Sequence, residues 1–283
     1  MIITKPSVEI IDQLPGLSGV YKQIEFAGRI CYKSHDKMTD DSAKEFVSRM
    51  INSGHGAVLE HGTVYLTIPK DYVYVDIFIN NSYSRVVIIK NMAYITTNYR
   101  VIIEEDLLDC LEFLNNEPTD HHELRVSALF NSQIAVSRES NRHRVNSICE
   151  ESSRYCNYTK DKFNNQIRIN LPTFIDEKLV TKTDTTLREL FEACLGIPEV
   201  VPIAYWLLAN KTCEFCYKQL IKCGWQPQQA RTILPLDTHT EFMHTAFVQD
   251  WKHFFKLRCS NAAHQDIKFL ADELKKQFTE RCI

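Results

Sequence analysis

The chain has 283 residues, 44% of them hydrophobic and 24% charged, with a formal net charge of −3. A chain of this size and balance folds as a soluble globular protein and buries roughly 75% of the surface of its unfolded form. Its slight acidity argues against the broad cationic footprint of a nucleic-acid-binding protein, and no apolar run is long enough to span a membrane.

The opening stretch, MIITKPSVEIIDQLPG, lacks the basic start and apolar core of a secretory signal, which predicts a cytoplasmic protein with reduced thiols. A short β-like segment runs over Val8–Ile11. In DDSAKEFVSRMINSG, Asp41 or Ser42 can cap a helix, Phe46, Met50 and Ile51 share a face, and Gly54 ends it. Thr63–Ile68 alternates like a strand, and residues 73–104 are rich in Val, Ile, Tyr and Thr, predicting strands with turns at NNSY and KNMA. LLDCLEFLNN reads as a short helix and RVSALFN as a further strand. Helices follow over Thr185–Cys194 and Pro202–Cys223, the second closed by Gly224 and Pro227, and the tail from Gln249 to Gln277 is helical in period. With few glycines and prolines and no low-complexity linker, the expectation is one domain over 1–283 with an elaborated middle segment at about 72–124. Strands gather in the first half and helices in the second, an α+β fold with a mixed or antiparallel sheet and flanking helices.

Ten cysteines include one tight pair, Cys213-x-x-Cys216. The pair invites a metal or redox reading, but no second Cys-x-x-Cys accompanies it. The spacing of Ala204, Leu207, Leu208, Cys216, Leu220 and Cys223 as one helical face favours packing thiols. His55 and His61 have no further histidine or cysteine nearby to complete a metal set, so no metal is expected. The pair His121-His122 reads as a turn.

The chemistry concentrates in NRHRVNSICEESSRY, Asn141–Tyr155. A bare Arg-His-Arg is commonly an exposed, salt-bridged helix end. Two forked cations beside a histidine can equally hold phosphate or stabilise an electron-rich ring. In an extended segment Glu150, Ser152 and Arg154 would share one face, and carboxylate, hydroxyl and guanidinium together suit a nucleotide. Cys149 and Cys156 stand near basic residues that lower a thiol pKa, and Ser152 is another possible nucleophile. Ser152 has a carboxylate rather than a poised histidine beside it, which favours ligand binding.

Arg142-His143-Arg144, seven residues, then Ser152, with Arg154-Tyr155 beyond, resembles the signature of the flavin-dependent thymidylate synthases. AGRICYKS (27–34), GHGAVLEHGTVYLTI (54–68), YITTNYRV (94–101) and QQARTILPLDTHTEFMHTAFVQDWKHFFKLR (228–258) are similar to further blocks of that family, in order. The resemblance implies that family's fold and the reductive methylation of dUMP to dTMP. Methylenetetrahydrofolate would supply the carbon, and FAD reduced by NADPH the hydride, in a homotetramer with shared sites. It implies that Arg258 promotes ionisation of the uracil ring and that Arg231, Glu150, Ser152 and Arg154 contact the nucleotide, with Glu151 and Ser153 on the same segment and Glu139 beside it. Arg142, His143 and Arg144 would hold the flavin at a subunit boundary, Arg142 also bordering the nucleotide; His55, Glu60, Glu150 and His253 would lie near the flavin. The family activates the ring without an enzyme thiol, so Cys149 and Cys156 are bystanders on this reading.

The chain departs from the family at Phe247 and Gln249, where Asn and Arg are frequent, at Ala57, Ala262 and Ala263, which replace polar residues, and at Glu139, where Gln or His is common. These departures keep two rivals open: the same chemistry on another pyrimidine nucleotide such as dCMP, and a non-catalytic nucleotide- or flavin-binding homologue.

Overall fold

The computed structural model describes residues 1–180, 185–196 and 202–283. In chain order the elements are β1 (Ile2–Thr4), β2 (Ser7–Ile11), α1 (Gly16–Tyr32), α2 (Ser42–Asn52), α3 (Gly56–Leu59), β3 (Thr63–Pro69), α4 (Val75–Asn80), β4 (Arg85–Ile89), β5 (Met92–Asn98) and α5 (Tyr99–Glu104). There follow β6 (Arg125–Gln133), α6 (Ile134–Ser140), β7 (Ser147–Glu150), β8 (Arg168–Asn170), α7 (Leu187–Gly196), α8 (Pro202–Lys222), α9 (Pro227–Ala230), β9 (His239–Phe247), α10 (Val248–Arg258) and α11 (Gln265–Glu280).

The larger sheet is antiparallel, in the order β2-β6-β9-β7, and a smaller one runs β3-β5-β4. Side chains alternate across a strand. Val126, Ala128, Phe130, Phe242 and Ala246 therefore face α10 and α11, where Trp251, Phe254, Leu270 and Leu274 complete the core. Leu129, Cys149 and Met243 face the other way, onto Ala27 and Ile30 of α1. One turn earlier, Val20 and Ile24 of α1 pack into the core of the smaller sheet with Leu66, Ile68 and Ile95, so α1 joins the two sheets. Gly28 permits this crowding: a Cβ there would lie 2.6 Å from Cζ of Phe46 on α2.

The architecture is α+β with antiparallel sheets and flanking helices, but its distribution along the chain differs from expectation. Strand β9 lies in the last third and is the inner partner of both β6 and β7. It is buried on both faces, which erases most of the alternation by which strands are recognised. Helix α1 was not anticipated, because Gly16, Gly19 and Gly28 depress its helical propensity while burial overrides it. Residues 75–80 and 99–104 are helical rather than extended. Asn98 caps the second of these, accepting from the Val101 N–H at 3.2 Å. Leu108–Phe113 is 3-10 helix.

The helix at Ser42–Asn52 forms without the expected side-chain cap: Asp41 makes no capping bond, and Ser42 Oγ donates instead to Glu25 at 2.9 Å. The tail is two helices, broken at 259–264, because Asp266 is drawn into a buried site where its carboxylate accepts from Thr173 Oγ1 at 2.7 Å and Gln133 Nε2 at 2.9 Å. On α8 the buried residues are Leu207, Asn210 and Tyr217, whereas Cys223 is exposed and Cys216 only half-buried.

Candidate active site

Strand β7 ends at Glu150, and the chain then turns, with Tyr155 N–H and Cys156 N–H both donating to the Ser152 carbonyl at 3.1 and 2.9 Å. The expected common face of Glu150, Ser152 and Arg154 therefore does not form. Arg154 swings out to an exposed position, 5.4 Å from the Tyr155 ring. Glu150, Glu151, Ser152 and Ser153 remain together and line a cavity of about 570 Å³ with Arg138, Arg231, His239 and Thr240. Arg231 arrives from the short helical segment after α9, and its Nη1 donates to Ser153 Oγ at 3.3 Å.

The wall is rigid for identifiable reasons. Glu150 accepts from Ser137 Oγ at 2.7 Å, Thr240 Oγ1 at 3.1 Å and Asn141 Nδ2 at 3.3 Å, tying β7 to α6 and β9. Ser152 N–H donates to the Cys31 carbonyl at the end of α1, at 3.0 Å. Two residues on, Lys33 adopts φ +49° as the helix ends and places its ammonium between two carboxylates, paired with Glu241 and 3.7 Å from Glu151. Burial pushes both acids up. For Glu241, His239 and Lys33 outweigh that effect and hold the carboxyl at about 2. For Glu151 burial prevails, leaving a raised pKa, with Tyr158 Oη donating to it at 3.2 Å.

Arg258, the last residue of α10, is held apart from this lining. Its Nε donates to His143 Nε2 at 3.0 Å, Nη1 to the Glu139 carboxylate at 3.1 Å, and Nη2 to the Glu139 carbonyl at 2.6 Å. Accepting at Nε2 requires a neutral imidazole. Burial first, then Arg258 and His253, lowers His143 to about 4, so the ring is neutral at physiological pH. Helix α6 connects the two places, with Ser137 and Arg138 on the cavity and Glu139 on Arg258.

Arg144, exposed at the end of the triplet, lines a second cavity of about 260 Å³ with Arg85, Arg125, Ser147, Phe247 and Asp250. Other predicted positions are dispersed. Arg142 and His55 are exposed, and Glu60 accepts from Arg100 Nη1 at 2.7 Å. His253 is exposed, its ring 6.1 Å from that of His143. His61 is wholly buried, with Nδ1 2.8 Å from Thr245 Oγ1, and is held near 3 by burial. Among the described residues, no group of three or more His, Cys, Asp or Glu is arranged to hold a metal, and no helix is long and apolar enough to cross a membrane.

Nearby basic residues do not activate the thiols. A hydrogen bond with Cys31, then burial, pushes Cys149 well up, and burial pushes Cys156 to about 12. Sequence reasoning missed Arg138, His239, Lys33 and Glu241. The last three lie in blocks recognised only by resemblance, and their convergence depends on where α1 ends against β9.

These features define an α+β protein with a polar pocket lined by two arginines, two glutamates and several hydroxyls, and with an oriented arginine held apart from it. The chain belongs to the thymidylate synthase complementing protein family, whose profile matches residues 112–282. It is 29% identical over 149 residues to a flavin-dependent thymidylate synthase of Thermosipho melanesiensis, covering 53% of this chain and 60% of that protein. It is 26% identical over 167 residues to one of Geobacter sulfurreducens, covering 59% and 61%. The chain thus spans about 60% of the length of the curated relatives it matches. A solved UMP/dUMP methylase from Streptomyces cacaoi, bound with 5-Br UMP, aligns over 99% of this chain and 92% of its own at 14% identity and a TM-score of 0.43.

Proposed function

We propose that the protein catalyses flavin-dependent synthesis of thymidylate, the reductive methylation of dUMP to dTMP with methylenetetrahydrofolate and NADPH. One observation carries this reading. Residues that the sequence resemblance assigns to the nucleotide, Glu150, Glu151, Ser152 and Ser153 on one segment and Arg231 from a distant one, line a single cavity.

Arg231 and Arg138 are the cations of that lining, and with the hydroxyls of Ser152 and Ser153 they suit a phosphate. Glu150 accepts from three protein donors, which fix it in the wall. The uracil ring is a weak nucleophile at C5 until electron density builds in it. A guanidinium at its carbonyl and N3 edge stabilises that density and so lowers the barrier. Arg258 is suited to the task because neutral His143 and the Glu139 carboxyl and carbonyl groups fix its orientation before substrate arrives. Arg258 engages Glu139 Oε2, which supports dUMP over dCMP in this reading.

FAD, when bound, supplies the hydride. Arg142 and Arg144 are exposed and make no side-chain hydrogen bond or ion pair among the described residues, so they fit a cofactor carrying phosphates. Arg142, Arg154 and His55 are exposed and lie outside the lining of their own chain's cavity, as residues serving a neighbouring subunit of a homotetramer would. A cytoplasmic location completes the reading.

The test offers dUMP and dCMP together to the full-length protein with FAD, NADPH and methylenetetrahydrofolate, and identifies products by mass. Formation of dTMP alone is expected. A methylated cytidine nucleotide would replace the substrate assignment, and no product from either would leave a binding protein in place of an enzyme.

A further inference from the structure

The middle segment contributes a cation to the second cavity. Arg85, the first residue of β4, lies with its guanidinium carbon 4.8 Å from the centre of the Phe247 ring at the end of β9. Arg125 is paired in register with Phe247 across β6 and β9, and its guanidinium is 5.6 Å from the same ring. Arg144 of the triplet completes the set, against the single carboxylate of Asp250.

None of these arginines makes an ion pair among the described residues. Arg125 donates to neutral acceptors only: the Glu60 carbonyl at 3.1 Å, Thr63 Oγ1 at 3.3 Å and Ser147 Oγ at 3.1 Å. Its Nε is buried without a partner, and burial lowers its pKa to about 10. Arg85 donates through Nη1 to the carbonyls of Ser82 and Ser84 at 3.3 and 3.0 Å, leaving Nε and Nη2 unused. Asp250 and Glu60 act on Arg125 only at a distance and are outweighed by its burial, and the lining carries a net excess of two positive charges. Stacking on Phe247 restrains the planes of Arg85 and Arg125 while leaving their edges available to donate.

The resemblance already gives Arg144 to the flavin; we propose that Arg85 of the middle segment adds to that contact, so that this cavity holds the diphosphate of a dinucleotide. Forked donors with an excess of two charges match a dianionic diphosphate. A volume of about 260 Å³ suits such a group rather than a whole ligand. The proposal rests on the flavin-and-NADPH reading above, and both of those dinucleotides carry a diphosphate.

The experiment compares wild type with Arg85→Ala and Arg85→Lys. It reads FAD and riboflavin affinity by quenching of flavin fluorescence at several salt concentrations, and KM for NADPH. In Arg85→Ala, FAD binding should weaken about ten- to a hundredfold, the loss expected for a charge-assisted bond. Its salt dependence should flatten, riboflavin binding should stay unchanged, and Arg85→Lys should recover part of the loss. If KM for NADPH rises instead, the diphosphate belongs to the nicotinamide dinucleotide and the subsite stands. Unchanged FAD affinity, NADPH KM and salt dependence in a folded Arg85→Ala protein would overturn it. Should Arg85→Ala not fold, Arg85→Gln is read the same way. Should wild type bind neither dinucleotide, the functional reading fails, and calorimetry with inorganic diphosphate tests the subsite alone: binding lost in the variant supports it, and no binding to wild type refutes it.

Discussion

Two groups of arginines border the site and are treated in opposite ways. Arg258 is committed, its nitrogens bound to Glu139 and to neutral His143 before any ligand arrives. Arg85, Arg125 and Arg144 keep donors open around a cavity with one carboxylate. A cation paired with a carboxylate is aimed, whereas one bonded to neutral acceptors only is left to take an anion. Positioning and binding are thus distinguished by what each guanidinium already touches rather than by residue type.

The contrast can be tested at several strengths. Arg258→Ala should lower kcat by about 10²–10³-fold, the usual cost of removing one electrostatic contact to a developing charge, while the melting curve stays close to wild type. Arg258→Lys should rescue little, since an ammonium cannot reproduce the fork that reaches both His143 and Glu139. Near-normal turnover in either variant would remove Arg258 from the chemistry.

Acidification comes next. His143, His61 and His244 are held at about 4, 3 and 3 in the folded chain, chiefly by burial. The unfolded chain protonates them near 6.5 and so binds more protons than the folded one below that pH. Stability is therefore full above 6.5 and falls as pH drops, by up to about 1.4 kcal/mol per pH unit for each histidine. Urea midpoints between pH 6.5 and 5 should fall accordingly, and His244→Asn should flatten the slope; an identical slope would show that His244 is protonated when folded.

The smallest effect belongs to the other group. Phe247→Leu keeps an apolar side chain but removes the face on which Arg85 and Arg125 stack, at about 0.5–1 kcal/mol for each contact. Chemical denaturation should register that loss, and FAD affinity should fall severalfold. A variant as stable as wild type would mean the stacking contributes nothing.

Much of the fold was legible from local pattern. Strands β3 and β6, the β4–β5 hairpin and helix α8 carry clear periodicity, and Gly54 and Gly224 take the positive φ expected after a helix. Strand β9 was hidden because both its faces are buried, and α1 because its glycines serve close packing rather than propensity. At the site, the contiguous run Glu150–Ser153 stood out in the sequence, and it lines one cavity. Arg154 was misplaced because an alternation rule was extended past Glu150, where the strand ends in a turn. The triad of Lys33, Glu151 and Glu241 was beyond local reading, since nothing near Lys33 signals that it ends a helix facing β9.

Strand β7 carries the start of the cavity-lining segment, and its ladder partner is β9, with Glu150 opposite Phe242. A chain emerging from the ribosome makes the signature segment well before it makes the strand that fixes it. Until residues 239–247 appear, β6 and β7 have no template between them, and closing so long a loop is slow. The pocket should therefore be among the last parts to order, and the unpaired edges of β6 and β7 are where a stalled or truncated chain would be drawn into aggregation.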